Sequence, residues 1–514
     1  MDSQRFWKNK NRDNYYKKKY YIDKNFHYFF CVLDKYKLCI IHLHHLRKIK
    51  LSRPNSLTEK LSKKDKDFLF HPNTNLIAHQ DSGPFILEKG EGIYVYDTDG
   101  NKYIEGMAGL WCNALGHGNQ ELADAAMEQF KKFPYGNLFA SKSHEPAIEL
   151  AEKLVELSPF DKAKVFFGSS GSDANDTQIK LFWYINNALG KTKRKKFLSR
   201  VQAYHGVTLA TSSLTGLPTI HGNFDLPQNN FSHAMSPNYF INKHDGESEE
   251  SFVERLGEDL ENHIIKQDPE TIAAMFAEPL MGAGGVIIPP KNYFETIQPI
   301  LDKYEIPLID DEVICGFGRT GNVWGADTFN MKPVSITVAK ALSSSYLPIS
   351  AVIISDDCYD IVAKKSDELG IFGHGYTYSG HPVACAVAVK TLEIYERDNM
   401  LDHVNNVSPT FVERLKKCNE FDIVGNTRGV GLIGAMEFVS EKNTNKGFDK
   451  KGVAGKIFAD HAKDNGLIVR AIGDVIAFCP PLIIKDSQIN DMFDIVEHAL
   501  KKTMDDLSGQ GILE

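Results

Sequence analysis

Apolar residues come in two rhythms that alternate along most of this chain. ELADAAMEQFKKF (121–133) and YFETIQPILDKY (293–304) place them at three- and four-residue spacings, which predicts helices. TIAAMFAEPL (271–280), IPLIDDEV (306–313) and SITVAK (335–340) are short, nearly unbroken apolar runs of strand length, each with a charged residue near its end. KVFFGSSGSDANDTQIKLFWYINNAL (164–189) reads as strand, Gly/Ser turn and long helix, and FLSRV (197–201) as a further strand. GEGIYVYDTDGNKYIEG (90–106) reads as two short strands around Asp-Gly. Strands alternating with helices predict an α/β fold, a mostly parallel sheet covered on both faces. Ligands of such sheets bind beyond the carboxyl ends of the strands. Glu278, Asp311 and Lys340 stand at such ends.

Composition adds a boundary to this picture. At 514 residues the chain is long enough for two or three structural units. Its formal charge of -8 is uneven: residues 1–70 hold 18 basic and 7 acidic groups, a balance of +11, which leaves -19 for the rest. This basic, Lys-, Asn- and Tyr-rich opening is expected to be a disordered or loosely docked extension. It lacks the pattern of a secretory signal, and Asp2, Asp13, Asp23 and Asp34 fit poorly with a mitochondrial presequence. A cytoplasmic protein is therefore expected, with the mitochondrial matrix as the alternative. The longest apolar candidate, FHYFFCVL (26–33), is too short to span a bilayer, and nothing beyond residue 70 supports nucleic-acid binding. The eight cysteines form no CxxC pair, which suits reduced thiols. HLHH (42–45) lacks acidic or thiolate partners, and no metal is expected.

The chemistry centres on TVAKALSSSYLP (337–348), where Lys340 stands among apolar and small residues with no acid beside it. Such a lysine either snorkels from a buried edge or is kept for its amine. SSGSDAND (169–176) joins a strand to a helix. It can cap that helix, or offer backbone N–H groups and hydroxyls to an anion at the helix N-terminus. Asp311 can cap the next element or hold a proton on a heterocyclic nitrogen. In AYHG (203–206), Tyr204 offers a ring for stacking and His205 a donor. Together these fit pyridoxal phosphate, which needs an amine for its aldehyde, a phosphate cradle, an acid at the ring nitrogen and an aromatic face. A free lysine amine near pKa ~10.4 must be depressed to react near neutrality.

IDDEVICGFGRTG (309–321), TVAKALSSSYLPISAV (337–352) and GYTYSGHPVACAVA (375–388) resemble the class III, or ω-amino acid, aminotransferases from about residue 71 to the end. MAGLWCNALGHG, NDTQIKLFWYINNALG, SLTGLP and AEPLMGAGGV look most like the pyruvate-using branch, which includes the 4-aminobutyrate enzymes. The resemblance implies fold type I of the PLP-dependent transferases, with a large domain on a seven-stranded sheet. The expected division is 1–70 extension, 71–115 first part of a small α+β domain, 116–375 large cofactor domain, and 376–514 the rest of the small domain. It further implies that Lys340 carries the cofactor and moves the substrate proton, while Asp311 pairs with the ring nitrogen. Val313 and Tyr204 would flank the ring, and Ser170, Gly171 and Ser172 would cradle the phosphate. His205 and Glu278 would stand beside the cofactor. Thr377 would reach the phosphate of the neighbouring subunit of a homodimer. Trp111 and Tyr204 would line the substrate pocket, and Arg470 would take a substrate carboxylate. The implied reaction is ping-pong transfer from an amine donor, 4-aminobutyrate foremost, to pyruvate. β-Alanine, taurine, putrescine and aryl amines are the alternative donors.

Other patterns carry less. RGVGLIG (428–434) matches a dinucleotide fingerprint, but DKKGVAGK (449–456) puts no acid in a strand where one is needed, so it reads as a turn into a strand. HEPAIEL (144–150) lacks the second histidine of a zinc helix. A PLP-dependent decarboxylase, racemase or aminomutase would share the lysine, acid and cradle. A scaffold that kept the fold without activity would show erosion in that set, and none is visible.

Overall fold

The computed structural model describes residues 56–513. FHYFFCVL, HLHH and residues 1–55 of the basic opening therefore lie outside the described residues. The chain divides into two compact units, Met1–Pro84 and Phe85–Glu514. In the first, the described part is a helix, Leu57–Phe68, a turn, and a short helix, Leu76–Ser82. Each starts on a polar cap: Ser56 accepts from the Glu59 amide, and Asn75 from that of Ala78.

The second unit opens with β1 (Leu87–Glu91), β2 (Tyr94–Asp97) and β3 (Lys102–Glu105), the predicted hairpin with one more strand in front. Seven strands follow: β4 (Ala163–Gly168), β5 (Lys196–Arg200), β6 (Phe231–Ala234), β7 (Ile272–Ala277), β8 (Leu308–Asp311), β9 (Ser335–Val338) and β10 (Ser350–Ser355). They form one sheet in the order β4-β10-β9-β8-β7-β5-β6. β9, β8, β7, β5 and β6 are parallel in sequence across the sheet, and β10 runs antiparallel to both of its neighbours. Reversing direction twice returns β4 to the sense of β9, so the carboxyl ends of β4, β5, β7, β8 and β9 share one edge. All residues of β7, β8 and β9 are buried, as strands sandwiched between helices must be.

The remaining strands are β11 (Val424–Val430), β12 (Ile433–Phe438), β13 (Leu467–Ile468), β14 (Arg470–Ile472) and β15 (Val475–Phe478). β13 pairs in parallel with β3, so a late segment completes a sheet begun near residue 87. β11 and β12 are the two arms of an antiparallel hairpin that turns within RGVGLIG, at Gly431, where φ is 55°. A backbone turn there leaves no strand-to-helix entry for a dinucleotide. HEPAIEL begins the helix Glu145–Leu157, whose N-cap is His144, its Nδ1 accepting from the Ala147 amide. Six cysteines lie among the described residues, all as free thiols. No helix among the described residues is long and apolar enough to cross a membrane.

Candidate active site

Asp311, Glu278, Lys340, the segment 170–172 and the segment 204–205 lie at or just past the strand ends on the shared carboxyl edge. Asp311 is the last residue of β8, and Glu278 follows β7 by one position. Lys340 lies two residues past β9, in a tight turn rather than on the strand. Its φ of 48° puts a non-glycine residue in the left-handed region. That costs about 1 kcal/mol or more and persists only where surrounding packing dictates it.

The Asp311 carboxylate is held on both oxygens. Asn175 Nδ2 donates to Oδ2 at 2.7 Å and His205 Nδ1 to the same atom at 2.8 Å, while the Val313 amide donates to Oδ1 at 3.2 Å. A carboxylate offers about four acceptor positions. Three are used, so one on Oδ1 is left for a further donor. The other ring nitrogen of the buried His205, Nε2, has no hydrogen-bond partner among the described residues. Asn175 Nδ2 also donates to the His205 carbonyl at 2.8 Å, so one amide aligns both.

The helix Gly171–Ala188 begins at this spot. Ser170 is its N-cap, accepting from the Asp173 amide, and its hydroxyl is thereby engaged in the cap. The capping reading of SSGSDAND is met here, at the start of a helix of 18 residues. A Cβ at Gly171 would press to 3.1 Å from both methyls of Val313, so a larger residue there would require that side chain to give by a few tenths of an ångström. The helix start and Val313 therefore lie close together. Ser172 Oγ accepts from the Val207 amide at 3.1 Å.

Glu278 is 3 % exposed and braces the facing loop, with Oε1 accepting from the Tyr204 amide and Oε2 from the Gly282 amide, both at 3.0 Å. Burial raises its pKa. Burial also raises the Tyr204 phenol, an effect opposed by the nearby Arg470 guanidinium. Arg470 is therefore near enough to Tyr204 to act on its charge. Arg470 is half-buried and has no acid or hydrogen-bond partner among the described residues, and burial depresses its pKa. Lys340 likewise makes no side-chain hydrogen bond or ion pair among the described residues. Burial lowers its pKa, against the opposing pull of Cys112, Asp311, Glu278 and Cys479. An amine shifted this way is available as a nucleophile or base.

Two predicted residues stand apart from this group. Trp111 is 2 % exposed and packs in an apolar cluster with Met107, Leu280, Val286 and Cys479. Thr377 is exposed, and its carbonyl accepts from the Tyr135 hydroxyl at 2.9 Å.

Sequence reasoning passed over Asn175 and Glu105. A polar residue on the buried face of a helix was the available signal for Asn175, which is 1 % exposed. Glu105 ends β3 and accepts from the Met107 amide at 3.1 Å. The backbone it grips is strained, with φ of 45° at Ala108, 67° at Gly109 and 65° at Trp111. Burial lifts the Glu105 carboxyl to about 7, against the Met107 and Gly109 N–H groups, from an ordinary 4.5. Its folded form binds the extra proton, so its contribution is fully present below the unfolded pKa and is lost as pH rises through the folded one. Glu105→Gln should remove this dependence. Its stability relative to wild type should climb by up to roughly 3 kcal/mol between mildly acid and mildly basic pH. A gap that stays flat in denaturant titrations across that range would show the carboxyl ionised throughout.

The model of the family described as aminotransferase class-III matches residues 77–500. Gamma aminobutyrate transaminase 1, mitochondrial, of Solanum lycopersicum is 48% identical over 424 residues, covering 82% of this chain and 82% of that protein. Probable gamma-aminobutyrate transaminase 2, mitochondrial, of Oryza sativa subsp. indica is 47% identical, covering 82% and 85%. Among solved structures, the omega transaminase from Pseudomonas jessenii in complex with PMP aligns with a TM-score of 0.86 at 48% identity, over 87% of this chain and 98% of that one. A structure titled as a transaminase with L-ala aligns with a TM-score of 0.81 at 47% identity, over 82% of this chain and all of that one.

Proposed function

The chain belongs to the class III aminotransferases, and on that footing we propose that it moves the amino group of 4-aminobutyrate to pyruvate, giving alanine and an aldehyde. It is a PLP-dependent ω-aminotransferase. The choice of donor rests on the names of its plant relatives, and that of acceptor on the residues resembling the pyruvate-using branch. The observation that carries the reading is an amine and an acid at one strand edge: Lys340 has no side-chain partner among the described residues, and Asp311 is aligned by His205 and Asn175 with one acceptor position to spare.

These residues suit pyridoxal phosphate. When bound, it supplies an aldehyde that carries the amino group and a ring that withdraws electrons from the substrate's breaking C–H bond. In our reading, the first-turn amides at Gly171 and Ser172 hold the phosphate, with Thr377 of a partner subunit completing the cradle in a homodimer. Asp311 Oδ1 holds the proton on the ring nitrogen. Val313 and Tyr204 close the two ring faces, His205 keeps Asp311 in place, and Glu278 positions Tyr204 through its amide. Lys340 Nζ would bind the aldehyde, and as a free amine it would take the proton from the substrate carbon and pass it to the cofactor. Trp111, through its loop, shapes the pocket wall. Residues 116–375 would be the cofactor domain and the flanking segments the small one.

Arg470 takes the carboxylate of the donor or of pyruvate. A half-buried guanidinium without a protein acid awaits an anion from elsewhere. Arg470→Leu should raise KM for 4-aminobutyrate and pyruvate about 10- to 100-fold, as loss of a charged hydrogen bond of ~1.5–3 kcal/mol requires. KM for putrescine, which has no carboxylate, should stay within about twofold in the same assay.

The deciding experiment offers pyruvate and 4-aminobutyrate to the loaded enzyme and measures alanine, with 2-oxoglutarate as the comparison acceptor. Alanine from another donor alone would keep the reaction and change the substrate. No transfer from any donor would point to decarboxylation or amino-group migration. The relatives' names print mitochondrial or chloroplastic sites, which makes the matrix alternative worth testing with residues 1–70 fused to a reporter.

A further inference from the structure

The described part of the first unit holds a cluster that the transfer reaction does not use. Asp65 lies in the last turn of the helix Leu57–Phe68, His71 in the turn after it, and His79 in the helix Leu76–Ser82. His71 Nε2 is 2.9 Å from both carboxylate oxygens of Asp65, and His79 Nε2 is 2.9 Å from Oδ1. The two imidazole rings are tilted against each other with centroids 4.2 Å apart. All three ligand atoms lie within 4.8 Å of one another.

Hydrogen bonding accounts for only part of this arrangement. His71 donates to Asp65 with good geometry. His79 does not: it is 9 % exposed, and its Nε2, though close to Oδ1, is misaligned and has no hydrogen-bond partner among the described residues. A buried polar atom left this way costs about 1–3 kcal/mol. Two imidazole nitrogens and a carboxylate converging on one point leave a deficit of positive charge, which a cation would fill.

We propose that Asp65, His71 and His79 form a binding site for a divalent transition-metal ion of the zinc class. Two nitrogens and one oxygen suit such an ion, whereas calcium and magnesium prefer all-oxygen shells. Zn–N bonds of about 2.0–2.1 Å place tetrahedral neighbours about 3.3 Å apart, so the present 2.9 Å spacings need to open only slightly. The partial exposure of His71 leaves a way in, and water can take the fourth position. The ion would tie two helices and the turn between them. Separations of six and eight residues match no sequence motif for metal, which is why the set is visible only once the helices are folded.

The test uses the full-length, cofactor-loaded protein, stripped of metal and titrated with Zn²⁺ by calorimetry, with Co²⁺ absorption as a second readout. The expected result is one equivalent bound and a visible Co²⁺ spectrum of tetrahedral type. His79→Phe, which keeps a ring in the buried position, and His71→Ala should each weaken that binding about tenfold or more. The absorbance of the bound cofactor reports that each variant is folded. Zn²⁺ taken up equally by wild type and both folded variants, as at HLHH, would overturn the proposal, and so would no uptake by wild type.

Discussion

Lys340→Ala should abolish amino transfer, with turnover falling by roughly 10⁴-fold or more, because it removes both the group that binds the cofactor's aldehyde and the base that moves the proton. The fold should survive. The ammonium has no partner to leave stranded, and its removal takes a charge-bearing group out of a buried setting. The left-handed backbone at 340 allows a further check. Lys340→Gly relieves the strain, so it should be as inactive as the alanine variant yet more stable by about 1 kcal/mol in thermal unfolding. Turnover within tenfold of wild type in either variant would end the assignment of Lys340. Equal inactivity with a collapsed melting curve would instead mean that the side chain is needed for packing.

Asp311→Asn should cost about 10²–10³-fold in turnover, the range for losing one preorganised electrostatic group. The reason lies in the counting of donors and acceptors. His205 Nδ1 and Asn175 Nδ2 both donate to Oδ2. An asparagine must turn its oxygen toward that pair, which leaves an NH₂ group facing the Val313 amide and the ring nitrogen. Two donors then oppose each other, and the proton on the ring nitrogen loses its acceptor. The variant should still take up cofactor, through the phosphate cradle and Lys340, but with an altered absorption spectrum. Stability should fall by about 1–3 kcal/mol for the unmatched buried amide. Wild-type turnover with an unchanged spectrum would refute the role. Asn175→Ala should shift the spectrum in the same direction by a smaller amount, since it acts on the ring only through Asp311.

The candidate site residues were legible because short motifs carry them. TVAKALSSSYLP, SSGSDAND and IDDEV each place a reactive group at the end of an apolar run, and strand-helix alternation puts those ends on one edge. The antiparallel β10 was not legible, because SAVIIS reads the same in either direction. Nor was the placement of Lys340 in a turn beyond β9, since a single φ of 48° leaves no mark on composition.

By itself, then, the sequence determined the strand-helix alternation and placed Lys340, Asp311 and SSGSDAND at the ends of apolar runs. These follow from local spacing, which periodicity and turn chemistry record directly. Only the tertiary structure decided that Asn175 and His205 align Asp311 across 136 and 106 positions and that β13 completes the sheet of β1–β3. It alone set Asp65, His71 and His79 around one point. The physical reason is common to all three. Each contact joins groups on different elements, and which groups meet depends on how whole elements pack, a quantity no local window of sequence contains.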